Sequence, residues 1–299
     1  MLRFLKKHSS RLKQITVNNT YNLNSITILK NFIGKYTYNA CICSIELGYR
    51  IFYRSVSINF GDDKIRTCIL DLNYNVIPNT DKALDLYSNC YHRQARYKLG
   101  EHVEDPRVIM HKNNWFVCYT DGYVVGVAKL DLECNTIYSH FLHKPSEIKF
   151  KGGDGREKNW LPISMGEEIH FWYGDEPRTF LVYEDVDTEL KYKSFFRTNQ
   201  SVVTKYGKIR GGCSPIKYND TQQIWFFHTF FENNYRIGAY LTEETQIIAI
   251  TSQPIITGDR IVFPCGAVQN ENGWTISMGI NDMRIGILHV SKDIVFTPI

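Results

Sequence analysis

The sequence predicts an all-β protein, a five-bladed β-propeller whose blades are antiparallel meanders around a central funnel. Three observations carry that expectation. Tyr and Phe number 19 and 17 in a chain of 299 residues, and aromatic residues favour strands over helices. Apolar residues recur in short runs bounded by polar turns, with little helical periodicity anywhere. The same unit of two or three runs then returns five times, at intervals of roughly 45–70 residues.

Taken in order, the first unit is YTYNACICSIELGYRIFYRSV followed by IRTCILDLNYNVI. The second is RVIMHKNNWFVCYTDGYVVGVAKLDL, and the third is EIHFWYGDEPRTFLVYEDVD. The fourth begins at SPIKYNDTQQIWFFHTFFENNYRIGAYL, and the fifth is GAVQNENGWTISMGINDMRIGILHVSKDIVF. Their turns (HKNNW, KYNDTQQ, QNENGW) supply Asn, Asp and Gly, which tolerate positive φ and bond their own backbone. Within the second unit, Trp115, Val117 and Tyr119 alternate with Phe116, Cys118 and Thr120, the period of a strand. Radial repetition protects the strand edges and leaves polar groups at the axis. A two-sheet sandwich is the alternative architecture. Residues 81–99, DKALDLYSNCYHRQARYKL, are the best candidate for a helix or an excursion. The first 20 residues form a basic arm with Arg3, Lys6, Lys7, Arg11 and Lys13 and no acid. One propeller domain is expected over 21–299.

Composition narrows the function. A formal charge of +4 is too small to indicate nucleic acid. No apolar run approaches the ~20 residues that span a bilayer. The 8 cysteines include no CxxC pair, which argues against zinc, and several sit in apolar runs as small hydrophobes. The expectation is a soluble, cytoplasmic protein with reduced thiols, no metal and no cofactor.

Polar motifs recur at the same place in successive units, at strand ends or just before a strand. They are Arg54, then Glu104, Asp105 and Arg107 in EDPR, then Lys158 and Asn159 in KNWLP. Lys208 and Arg210 in KIRGGCSP, His228, Tyr235 and finally Asp282 in GIND follow. Taken singly, each has an ordinary explanation as a turn, an ion pair or a lining residue; the order and spacing are what single them out. A glycosidic bond needs an acid to protonate the leaving oxygen and a nucleophile on the opposite face. If that nucleophile is phosphate, no base is required, but cations and hydroxyls must hold the anion. This set is richer in cations and hydroxyls than in carboxylates, so it points to an anionic co-substrate, inorganic phosphate or a nucleotide sugar. Gly211 and Gly212 are expected to let the backbone approach a ligand closely.

The ordered series resembles glycoside hydrolase family 130, the β-mannoside phosphorylases and β-1,2-mannosidases, over roughly Asn24 to Val290. EDPRVIMHKNNWFVCYTDGY, KIRGGCSPIKYNDTQQIWFFHTFFENNYRIGAYL and IVFPCGAVQNENGWTISMGINDMRIGIL carry it. The resemblance implies a propeller and an inverting reaction with Asp105 as general acid, the proton passing through a sugar hydroxyl. It places Arg54, Lys158, Asn159, Lys208, His228 and Tyr235 among the phosphate or sugar contacts. It also has Arg107 holding the acid loop and Asp282 touching the glycone. Three departures stand out. The family's early Asn-Pro is reduced to Asn24-Ser25-Ile26, a family glycine is Arg210, and the last strand ends in GIND. The expected activity is phosphorolysis of β-mannosides. The alternatives are β-mannosyl transfer from a nucleotide sugar and a non-catalytic glycan-binding propeller. Expected partners are a carbohydrate with phosphate or a nucleotide sugar, and a homo-oligomer stays open.

Overall fold

The computed structural model describes Tyr21 and residues 25–56, 63–87, 103–148, 157–202, 204–257 and 261–299. The basic arm and residues 88–99 of the expected excursion lie outside them; residues 81–87 hold a two-residue strand and no helix. A short strand β1 (Thr27–Ile28) comes first. Blade one is β2 (Tyr36–Ile45), β3 (Gly48–Val56), β4 (Asp63–Leu70) and β5 (Lys82–Ala83). Blade two is β6 (Glu104–His111), β7 (Asn114–Thr120), β8 (Val125–Leu130) and β9 (Thr136–Phe141). Blade three is β10 (Leu161–Met165), β11 (Glu168–Asp175), β12 (Arg178–Val186) and β13 (Glu189–Arg197). Blade four is β14 (Ile216–Lys217), β15 (Gln222–Phe231), β16 (Asn234–Glu243) and β17 (Gln246–Thr251), with β18 (Ile256–Thr257) beside β16. Blade five is β19 (Val262–Asn270), β20 (Gly273–Ile280) and β21 (Arg284–Ser291), and β22 (Phe296–Pro298) ends the chain.

Every blade is an antiparallel meander of sequence neighbours, so tight turns set the register. Lys112-Asn113 and Glu232-Asn233 both hold φ between 47° and 63°. Two consecutive left-handed residues are what a two-residue hairpin needs to match the strand twist. The ring closes by mixing the chain ends. Strand β1 adds to β21 as the outer strand of blade five, and β22 adds to β17 of blade four. Tyr21 fastens the seam, its N–H donating to Ile255 O at 2.8 Å and its hydroxyl accepting from Ser291 N at 3.0 Å.

The core lies in wedges between neighbouring blades. Trp115, Val117 and Tyr119 pack with Phe52 and Ile65 of blade one. Phe116 and Cys118, on the other face of β7, pack with Phe171 and Leu181 of blade three. The alternation expected of this strand therefore separates two buried faces rather than core from solvent, because each blade is covered on both sides. That explains the nearly continuous apolar runs of β7 and β20, whose residues are almost all buried.

Polar pins cross the same wedges. Lys129 and Tyr138 of blade two reach Asp185 of blade three at 2.6 and 2.8 Å. Ser277 of blade five donates to Ala40 O of blade one at 2.5 Å and accepts from Ile42 N at 2.9 Å. Between blades three and four, fully buried Arg178 pairs with Asp175 at 2.7 Å and donates to Thr245 O at 3.0 Å. Its guanidinium lies 4.8 Å from the Trp225 ring centre and 5.1 Å from that of Tyr240. Removing one partner of such a pair leaves an uncompensated buried charge. Arg178→Ala is expected to destabilise the fold by about 3–5 kcal/mol, read as a shift of the urea midpoint with an unchanged slope.

Candidate active site

The site grows from one repeated irregularity. Where the innermost strand of a blade begins, one extra residue is inserted against its neighbour. Tyr38 faces Arg54 and Cys41 faces Phe52, three steps against two. Glu104 faces Thr120 and Arg107 faces Cys118 with the same offset. Arg210 bridges to His228 while Cys213 N bonds Phe226 O, again the same offset. A bulge of this kind turns a side chain out of the ladder. The residue that takes the strain is Asn39 in blade one (φ 49°), Asp105 in blade two (φ 57°) and Asn159 at the entry to blade three (φ 61°). Asn and Asp tolerate this left-handed backbone better than other side chains. Blade four has Gly211 in the corresponding place.

Blades one, two and five form an acidic half. Asn39 Nδ2 donates to Asp105 Oδ1 at 2.6 Å. Arg54 bonds Asp63 at 2.6 Å and Glu104 at 3.1 Å and lies 4.0 Å from Asp105 Oδ1. Its guanidinium sits 4.9 Å from the Tyr38 ring centre. Burial works against the charge on Arg54, but Glu104, Asp105, Tyr38 and Asp63 outweigh it, and its pKa is raised. Burial raises the Tyr38 phenol too, so it stays protonated. Asp282, in the left-handed turn after β20 (φ 52°), keeps part of its surface in water. Its carboxyl is nevertheless pushed upward, first by local burial and then by Asp105 and Glu104. Gly279 makes room for this arrangement, since a Cβ there would fall 1.8 Å from Asn39 Oδ1.

Blades three and four bring cations and hydroxyls. Lys158 is exposed, and its charge acts on Asp282 from the opposite side of the funnel. Arg210 is exposed and lies 5.8 Å from the Phe230 ring centre. Lys208 reaches Glu176 at 2.5 Å. Tyr235 stacks on His228 with ring centres 5.9 Å apart. His228 itself is buried against Phe263. Its pKa is pulled down to about 3, by burial first and then by Arg210 and Arg107. It is a neutral ring near pH 7, able to offer a hydrogen bond but not a positive charge.

Arg107 lies beneath the acid rather than in the open funnel, 1% exposed. It donates to Asp105 O and Pro106 O at 3.1 Å each and to Gly212 O of blade four at 2.6 Å. These bonds hold the turn that carries Asp105. The expectation for the two glycines is corrected: a Cβ on Gly211 would meet Asn159 O at 2.3 Å, and one on Gly212 would meet Phe226 O at 2.2 Å. Both serve close packing of the chain on itself. Sequence reading also missed Tyr38, Asn39 and Asp63. The repeat held the signal for Asn39, since Tyr38-Asn39 occupies the register of Glu104-Asp105 and Lys158-Asn159. The asparagine that reaches the acid is thus Asn39, whereas Asn24 lies outside the described residues. Among the described residues no cluster of three His, Cys, Asp or Glu forms a metal site, and the seven described cysteines are free.

The sequence profile of glycoside hydrolase family 130, described as β-1,4-mannooligosaccharide phosphorylase, matches residues 6–297. The chain belongs to that family. Solved structures share the fold. A glycoside hydrolase of Parabacteroides distasonis superposes with a TM-score of 0.59 at 13% identity, covering 85% of this chain and 86% of its own. The β-1,2-mannobiose phosphorylase of Listeria innocua gives 0.56 at 15%, covering 89% and 94%. The catalytic domain of an α-L-arabinofuranosidase from Coprinopsis cinerea gives 0.55 at 8%, covering 91% and 94%. No curated protein matches the chain. As a family 130 member it is a carbohydrate-active enzyme of the glycoside phosphorylase and glycosidase class.

The burial of His228 makes the fold acid-sensitive. Its pKa lies below the ordinary 6.5, so its contribution to stability is complete above pH 6.5 and falls away as pH drops toward 3. His228→Gln is expected to flatten the fall of the melting temperature between pH 7 and pH 4.

Proposed function

We propose that this enzyme is an inverting β-mannoside phosphorylase. The observation that carries the reading is the division of the funnel. The carboxyl of Asp105 is fastened in an acidic half by Asn39, and the exposed cations Lys158 and Arg210 stand on the blades opposite. A glycone bound at the centre meets a proton donor on one side and an anion on the other. The glycosidic oxygen takes the proton that Asp105 supplies, through a sugar hydroxyl as the family resemblance implies. A phosphate oxygen attacks the anomeric carbon from the opposite face as the C–O bond breaks, giving mannose 1-phosphate. Arg54 is already neutralised by Asp63 and Glu104, so its role is to order the carboxylates and the glycone hydroxyls. The anion falls to Lys158, Arg210 and Tyr235, with His228 as a neutral partner. Phosphate needs no general base, and Lys208, already paired with Glu176, is left out of the set that holds it.

Arg210 also favours a second reading, transfer from a nucleotide sugar, because a diphosphate suits an added guanidinium. Offering mannose 1-phosphate and GDP-mannose separately, each with acceptor sugars, separates the two. Turnover of the sugar phosphate alone fits phosphorolysis, turnover of the nucleotide alone overturns it, and sugar binding without turnover of either marks a glycan-binding propeller. Asp105→Asn is expected to lower kcat by about 10²–10⁴-fold with an unchanged melting temperature; full activity in that variant removes Asp105 from its role. Arg210→Gly is expected to raise KM for phosphate by about tenfold with a smaller change in kcat.

A further inference from the structure

The axis has a second end. Strands β2, β6, β10, β14 and β19 are each the first strand of their sheet, bonded to a neighbouring strand on one side only. They start at the acid and run away from it. They line an open cavity of about 470 Å³, within the size range of small-molecule sites. Val108, the residue after Arg107, lines it, while the Arg107 side chain reaches from blade two to Gly212 of blade four and lies 4.7 Å from the Phe263 ring centre of blade five. The cavity lining includes one residue from each of these strands, Ser44, Met110, Ser164, Ile216 and Gln269, all but Ile216 exposed.

The chemistry of this cavity differs from that of the funnel. None of its lining residues is Asp, Glu, Lys, Arg or His. Its polar groups are the hydroxyls of Ser44, Ser164 and Ser214 and the amides of Gln223 and Gln269. Among the described residues Ser214 Oγ and the indole N–H of Trp115 are buried without a hydrogen-bond partner, and both residues line the cavity. The inner edges of the five strands add backbone N–H and C=O groups that no further strand satisfies, and such groups need partners. Dense neutral donors and acceptors between apolar walls suit a ligand with many hydroxyls and no charge, since a buried ion would find no counter-charge.

We infer that the far end of the axial channel is a second binding site, for a small uncharged polyhydroxy molecule such as a sugar alcohol, separate from the catalytic funnel. It does not rest on the proposed reaction, because it uses none of the residues assigned to it. The test is calorimetric titration of the full chain with mannitol and, as a charged counterpart of similar size, gluconate. Mannitol is expected to bind saturably and gluconate not to bind. Ser44→Tyr and Gln269→Tyr, at exposed mouth positions, are expected to weaken mannitol at least about tenfold, while Asp105→Asn leaves its affinity unchanged. Mannitol is also expected to alter the fluorescence of the unmodified protein, and Trp115→Phe to remove that change, a readout that needs no mouth variant to fold. Absence of saturable binding, equal binding of gluconate, loss in Asp105→Asn, or wild-type affinity in both folded mouth variants would each overturn the assignment.

Discussion

One buried guanidinium sets the centre of this molecule. Arg107 starts in blade two, crosses the axis to a carbonyl of blade four, and lies against an aromatic ring of blade five. A buried cation is costly unless its hydrogen bonds are met. Here three main-chain carbonyls accept from its Nε and Nη1, Nη2 is left without a hydrogen-bond partner among the described residues, and the face of Phe263 adds a favourable quadrupole. The other two carbonyls belong to Asp105 and Pro106, so the side chain that ties blade two to blade four also fixes the turn that carries Asp105. The left-handed backbone of Asp105 is strained for a residue with a side chain, and it is held where Arg107 leaves the turn little freedom.

Around that plug the charges are sorted by blade. Asp63, Glu104, Asp105 and Asp282 surround a single arginine, while the cations of blades three and four face them across the funnel. Segregation of this kind costs nothing in the repeat itself, since each blade contributes the same few positions. It follows from which residue type fills the bulge and which pair precedes it: Asn39 after Tyr38–Arg54, Asp105 after Glu104–Thr120, Gly211 after Arg210–His228. The repeat supplies the geometry, and the differences between copies supply the chemistry.

The five meanders were legible because turn chemistry and short apolar runs are local signals. Strand alternation was legible too, but its meaning was not. The two faces of β7 look like an inside and an outside until blades one and three are known to cover both. The convergence of Asp105 and Arg54 was legible because a motif carried each. Asn39 escaped because an asparagine in an apolar run has no local mark of function, and Asp63 because its partner lies across a hairpin. His228 stood out as a candidate site residue, but its charge state was not legible, since that depends on burial against Phe263 and on Arg210 and Arg107 around it.

By itself, the sequence determined the all-β class, the fivefold repeat, the order of the polar motifs and the residue types at each blade tip. These depend on neighbours along the chain, through propensity, periodicity and turn conformation. Only the tertiary structure decided that the bulges converge, that Asn39 grips Asp105, that Gly211 and Gly212 serve packing, and that Arg107 joins blades two and four. Those outcomes depend on residues many positions apart, and ring closure is what brings them within a hydrogen bond of one another.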